Sequence, residues 1–176
     1  VISDNGLGCT NTQTVSVTVN TIPTLTLSAS SNTICTGNSA TLTANGATSY
    51  TWNPGALTGT STVVSPTTTT TYTVDGSDGT CSTTQTITLV VSPNATVTAS
   101  ASSNTICAGS SATLTANGAS TYTWNPGALT GTTTVVTPTI TTTYTVDADN
   151  GLGCITSTMV TVNVNSAPSL SIAATS

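Results

Sequence analysis

The sequence duplicates itself. Residues 28–75, SASSNTICTGNSATLTANGATSYTWNPGALTGTSTVVSPTTTTTYTVD, return almost unchanged as residues 100–147. Cys35 and Cys107, Trp52 and Trp124, and Tyr72 and Tyr144 are each 72 positions apart. Cys81 and Cys154 are 73 apart, because DGSDGTC becomes DADNGLGC with one inserted residue. A fixed period of this kind means that one supersecondary unit recurs along the chain. The first 20 residues match 146–165, so they read as the end of a preceding unit, and the last ten, ending SLSIAATS, read as the start of a following one. The expected organisation is residues 1–21 from a preceding repeat, repeat 1 over 22–93, repeat 2 over 94–166, and an opening strand over 167–176. With neither a starting Met nor a signal peptide, the chain reads as a window on a longer array.

Within each unit the apolar residues alternate with a period of two, the signature of a strand with one buried face. Leu25, Leu27 and Ala29 share one face, as do Ala40, Leu42 and Ala44, then Tyr50 and Trp52, Tyr72 and Val74, and Ile87, Leu89 and Val91. Turn residues such as Asn53-Pro54-Gly55 interrupt the chain every 8–15 positions, and no stretch has helical periodicity. The expected fold class is all-β: tandem immunoglobulin-like β-sandwiches with about seven strands per unit. Trp52 and Trp124 fall on the third strand, and Tyr72 and Tyr144 near the start of the sixth, where they resemble a tyrosine corner. All four read as core aromatics, with sugar stacking on the tryptophans as the alternative.

Composition narrows the function. The 176 residues include no Lys, Arg or His, and the five acidic residues are all Asp. General acid–base catalysis, Schiff bases, a Ser-His-Asp triad and a His-ligated metal all lack their residues. Phosphate and nucleic-acid binding lack the cations that neutralise backbone charge. No isopeptide crosslink can form without a lysine amine, and no apolar run is long enough to span a bilayer. Thr supplies 48 residues, whose β-branched side chains favour strands. The reading is not an enzyme, with no cofactor and no nucleic-acid partner.

Five cysteines without acid–base partners point to disulfides and an oxidising, extracellular setting. The position where an immunoglobulin domain carries its second core Cys holds Val74, so the sulfurs lie elsewhere. Cys35 falls in the connection before the second strand, and Cys81 after the turn that joins the last two strands. In a sandwich these sites are at opposite ends, over 20 Å apart, whereas a disulfide tolerates a Cα separation of about 7 Å. An inter-repeat bond from Cys35 to Cys154 is preferred, with Cys9, Cys81 and Cys107 bonding to repeats outside the window. Intra-repeat pairs Cys35–Cys81 and Cys107–Cys154 stay open as the alternative, through a shifted first strand.

Asp147, Asp149 and Asn150 resemble the acidic start of a calcium loop, but no Glu completes it and the same residues make an ordinary hairpin turn. Asn94-Ala95-Thr96 is a lone glycosylation sequon.

The ordered set ICxGxSxTLTAxGxxxYxWxPG, TTTYTV and DxxGC resembles the Ig-like (PKD-like) tandem repeats of large secreted cell-surface and adhesin proteins of Bacteroidota. That resemblance covers nearly the whole chain. It implies export, by type IX secretion, and a role in adhesion, surface layers or gliding-type filaments, with no catalytic residues to carry over. The expected function is a structural repeat protein: a disulfide-linked extracellular filament, sheath or surface appendage whose repeats associate with one another. In a variant, a terminal strand completes a neighbouring sandwich by strand addition. The alternative is an adhesin stalk or glycan-binding module that grips glycan or a host surface through Trp52 and Trp124.

Overall fold

A computed structural model describes residues 1–166; the opening strand expected at 167–176 lies outside the described residues. The described chain is all β, with no helix long and apolar enough to cross a membrane. A short hairpin comes first, β1 (Ile2–Asp4) with β2 (Thr10–Thr12). The first copy then contains β3 (Thr26–Ala29), β4 (Thr33–Cys35), β5 (Ala40–Asn45), β6 (Ser49–Asn53), β7 (Leu57–Thr58), β8 (Ser61–Val64), β9 (Thr70–Ser77) and β10 (Ser82–Ser92). The second copy repeats them as β11 (Thr98–Ala101), β12 (Thr105–Cys107), β13 (Ala112–Asn117), β14 (Thr121–Asn125), β15 (Leu129–Thr130), β16 (Thr133–Val136), β17 (Thr142–Asp149) and β18 (Ile155–Asn165).

Each copy is a two-sheet sandwich. In the first, a three-stranded sheet β3-β5-β8 faces a five-stranded sheet β4-β10-β9-β6-β7; in the second, β11-β13-β16 faces β12-β18-β17-β14-β15. This is the immunoglobulin-like arrangement, in which the opening strand is shared between the sheets. Eight strands per copy appear where about seven were expected, because the first strand breaks in two. Residues 30–32 carry the chain from β3, antiparallel to β5, across to β4, parallel to β10. The short β7 completes the count.

Alternation sets the burial. Along β13, Ala112, Leu114 and Ala116 are buried and the threonines between them are half-exposed, as along β5 for Ala40, Leu42 and Ala44. In the second copy these residues close on Tyr122, Trp124, Tyr144, Val146 and Val162. Glycine is required after β5 and β13: at Gly46, with φ +103°, a Cβ would lie 1.9 Å from the Thr24 carbonyl oxygen, and at Gly118 the same distance from that of Thr96.

The described chain divides into two compact units whose boundaries cut across the first copy: residues 1–29, 41–62 and 71–87 form one, and 30–40, 63–70 and 88–166 belong to the other. Residues 1–20, which match 146–165, keep the turn of the β17–β18 hairpin as β1–β2. Val15, Val17 and Val19 are 84 %, 82 % and 87 % exposed, whereas Val162, the counterpart of Val17, is fully buried.

Candidate functional site

The chemistry of this chain collects around one loop sequence, Asp-Asn-Gly-Leu-Gly-Cys, present at 4–9 and 149–154. In the loop at 149–154, Asp149 Oδ1 accepts hydrogen bonds from the backbone amides of Gly151 (2.7 Å) and Gly153 (3.1 Å). Asn150 Oδ1 accepts from Leu152 (2.8 Å) and Cys154 (3.3 Å), and the Asn150 amide donates to the Cys154 carbonyl. Short Asx side chains fold the backbone back on themselves in this way, and two glycines at positive φ (Gly151 +89°, Gly153 +82°) make the path available. The loop ends by presenting Cys154.

Opposite it lies Cys35, joined to Cys154 by a disulfide with a Cα–Cα distance of 5.5 Å. Cys35 is not in a connection, as the sequence reading placed it, but is the last residue of β4, in register with Ser92. The Thr36 amide donates to the Ser92 carbonyl (3.0 Å), which fixes the end of β4 against β10. Asn150 completes the joint: its Nδ2 donates to Ser92 Oγ (2.7 Å) and to the Pro93 carbonyl (2.9 Å). Ser92 is 2 % exposed, so this side-chain bond is largely shielded from water and is worth more than its surface equivalent. The bond and all its polar contacts fall within the second compact unit.

The split first strand also accounts for the intra-repeat alternatives. Cys35 pairs with the last residue of β10, and Cys81 immediately precedes its first. That strand is 11 residues long, roughly 35 Å at extended spacing. Cys107, opposite Asn165, and Cys154, just before Ile155, stand in the same relation to β18. Cys9, Cys81 and Cys107 carry free thiols, Cys9 and Cys107 exposed and Cys81 half-buried. The Cys81 sulfur lies 4.0 Å from the Asn20 carbonyl oxygen.

The aromatic residues are structural. Trp52 and Trp124 are fully buried, and their indole N–H groups donate to the carbonyls of Gly59 (3.0 Å) and Gly131 (3.1 Å). The exposed stacking platform that glycan binding through these rings required is therefore not there. Tyr72 and Tyr144 are buried too, and burial pushes both phenols above their usual pKa. The hydroxyl that returns to the backbone belongs to a different tyrosine. Tyr50 Oη accepts from the Ala47 amide and donates to its carbonyl (2.8 Å each), and Tyr122 does the same at Ala119.

Every aspartate is held by hydrogen-bond donors, in a chain with no Lys, Arg or His side chain to pair with it. Asp4 takes the Gly6 amide, Asp75 the Thr84 hydroxyl, and Asp78 the amides of Thr80 and Cys81. Those amides hold the Asp78 carboxyl below the usual range. Asp147 does not join Asp149 and Asn150 in a common ion cradle: it accepts from Ser157 Oγ and Asn125 Nδ2 across the sheet, while the loop oxygens serve their own backbone. Among the described residues no group of three or more Asp, Glu, His or Cys side chains that could hold a metal ion occurs.

No family model matches this sequence, and no curated protein sequence matches it either. In structure it is similar to the Ca2+-stabilised adhesin with which an Antarctic bacterium binds ice, at 18 % identity and a TM-score of 0.47, covering 96 % of this chain and 56 % of that one. It is similar to murine CEACAM1b at 13 % identity and 0.42, covering 82 % and 100 %. It is also similar to the three N-terminal domains of the bacteriophage RB49 outer capsid protein Hoc, at 16 % and 0.42, covering 81 % and 59 %. The chain thus spans little more than half of the adhesin and phage structures.

Sequence reasoning found Cys35 and Cys154 but missed Asn150 as the residue that docks one side of the joint on the other. Its signal was present in the recurrence of Asn beside Asp in both copies of the loop.

Proposed function

We propose that this chain is extracellular scaffolding: tandem immunoglobulin-like repeats, joined copy to copy by disulfides, that build a filament, sheath or surface appendage. The observation that carries this reading is the Cys35–Cys154 bond, whose partners come from different copies of the repeat. A disulfide of this kind persists in oxidising surroundings, which supports a location outside the cell. A chain of near-duplicates offers the same surface at fixed intervals, as lateral or end-to-end packing requires.

The surface chemistry supports the same role. With no Lys, Arg or His, and with all five Asp carboxylates engaged by neighbouring donors, the exterior is dominated by Thr and Ser. Such faces pack with little charge repulsion and few long side chains to immobilise. Residues 22–93 and 94–166 act as whole repeats, and residues 1–21 carry the closing hairpin of the same repeat type, with Val15, Val17 and Val19 exposed. A catalytic role would have to be carried without Lys, Arg, His or Glu.

Electron microscopy of the oxidised protein tests the proposal. Filaments or sheets with an axial spacing set by one repeat are expected. Dispersed single particles at high concentration, with no ordered assembly, would overturn it.

A further inference from the structure

We infer that Cys9 and Cys107 are the two unjoined halves of the same joint, and that they form a disulfide between two copies of this chain. The inference rests on the array reading above and names the contact that extends it.

The donor half is already folded. Residues 4–9 have the same sequence as 149–154 and hold the same internal hydrogen bonds except the one from Gly153 to Asp149. Asp4 Oδ1 accepts from Gly6 (2.8 Å), Asn5 Oδ1 accepts from Leu7 (3.0 Å) and Cys9 (3.3 Å), and the Asn5 amide donates to the Cys9 carbonyl (3.3 Å). Gly6 and Gly8 take up positive φ, as Gly151 and Gly153 do. The main difference lies at the sulfur: Cys154 is bonded and Cys9 is an exposed thiol.

The acceptor half is equally formed. Cys107 ends β12, in parallel register with Asn165 of β18, as Cys35 ends β4 opposite Ser92. The Ala108 amide donates to the Asn165 carbonyl (3.1 Å), matching Thr36 and Ser92, and the Ser110 amide donates to the Cys107 carbonyl (3.0 Å), matching Asn38 and Cys35. Asn165 and Ser166 stand where Ser92 and Pro93 receive Asn150. A side-chain amide oxygen and a main-chain carbonyl there provide two acceptors for the Nδ2 of Asn5. Cys81 is not a second donor of this kind: its turn, Asp78-Gly79-Thr80-Cys81, is shorter, lacks the Asn, and leaves the sulfur half-buried against Asn20.

The bond forms by thiol–disulfide exchange with a small-molecule disulfide as oxidant. One cysteine thiolate attacks the oxidant to give a mixed disulfide and release one thiol. The second thiolate attacks the protein sulfur of that mixed disulfide and releases the other. Two protein thiols become one disulfide, and the oxidant leaves as two thiols.

The full chain, incubated in a buffer of oxidised and reduced glutathione, provides the test. Non-reducing electrophoresis should show a ladder of covalent oligomers, and peptic mapping should recover a Cys9 peptide linked to a Cys107 peptide. Cys9→Ser or Cys107→Ser alone should abolish the ladder, and a mixture of the two variants should stop at dimer. Cys81→Ser should leave the ladder intact. Monomers only, linkage through Cys81, symmetric Cys9–Cys9 dimers, or a Cys9–Cys107 bond within one chain would each overturn the inference. Filaments seen by microscopy with Cys9 and Cys107 still as thiols would do so as well, while leaving the array reading standing. Linked oligomers that build no ordered assembly would instead sink that reading alone.

Discussion

Leu25 occupies the space that a side chain at Gly76 would need. A Cβ built on Gly76 lies 2.4 Å from Leu25 Cδ2 and 3.0 Å from Cδ1. The second copy solves the same packing problem in the opposite sense: Val97 stands in place of Leu25, and a fully buried Ala148 in place of Gly76. A larger residue on one side of the contact is matched by a smaller one on the other. Gly76→Ala should therefore cost about 1–3 kcal/mol through overpacking. The double variant Leu25→Val, Gly76→Ala reproduces the other copy's pair and should recover most of that loss. Denaturant midpoints of the single and double variants check this, and equal stability of the two would refute the complementarity.

Burial of the tryptophans predicts their optical behaviour and their energetic weight. Acrylamide should quench Trp52 and Trp124 only weakly in the native protein and strongly once it unfolds. Trp124→Ala, which empties the centre of the second sandwich and strands the Gly131 carbonyl, should lower stability by about 3–5 kcal/mol. Efficient native-state quenching would show that the rings are not where the structure has them.

Stability should fall at both ends of the pH scale, for opposite reasons. Backbone amides of Cys81 and Thr80 hold the Asp78 carboxyl below its usual pKa, so its contribution is complete above the ordinary carboxylate range. That contribution is lost as pH falls through the lowered value. An NMR titration should find Asp78 protonating late, with the amide shifts of Thr80 and Cys81 moving alongside. Burial raises the pKa of Tyr72 and Tyr144 above 10.0, so the unfolded chain gives up those protons first and stability declines as pH climbs past that value. An alkaline denaturation profile with no decline there would contradict it.

Breaking the joint should separate its covalent part from its docking part. Cys35→Ser removes a crosslink spanning 119 residues and should lower the stability of the second unit by about 2–4 kcal/mol. Asn150→Ala keeps the disulfide but removes the bonds to Ser92 and Pro93 and the loop's own Oδ1 contacts, and should cost about 1–3 kcal/mol. Calorimetry under oxidising conditions measures both. An Asn150→Ala protein as stable as the parent would mean that the sulfurs alone hold the loop.

Much of this fold is legible without coordinates because its signals are local. Ala40, Leu42 and Ala44 alternate with threonines, and that rhythm alone says which face is buried. The duplicated segments fix how many sandwiches to expect. The split of the first strand is not legible, since it depends on which sheet edge residues 33–35 meet after the break at 30–32, and nothing in TIC specifies a parallel partner. The seat of Cys35 is not legible for the same reason. Tyr50 and Tyr72 both alternate inward, so the pattern does not separate them; only the fold of the preceding turn brings the Ala47 backbone within reach of one hydroxyl.

The parallel pairing of β12 with β18 bears on how a copy answers to tension. Its first and last strands run the same way side by side, through Thr105–Asn163, Ile106–Val164 and Cys107–Asn165. When the two ends of the copy are pulled apart, those strands are drawn past each other along their length. The ladder is then loaded all together, in shear, and does not peel open one rung at a time, so the weakest direction of a sheet is turned away from the line of pull.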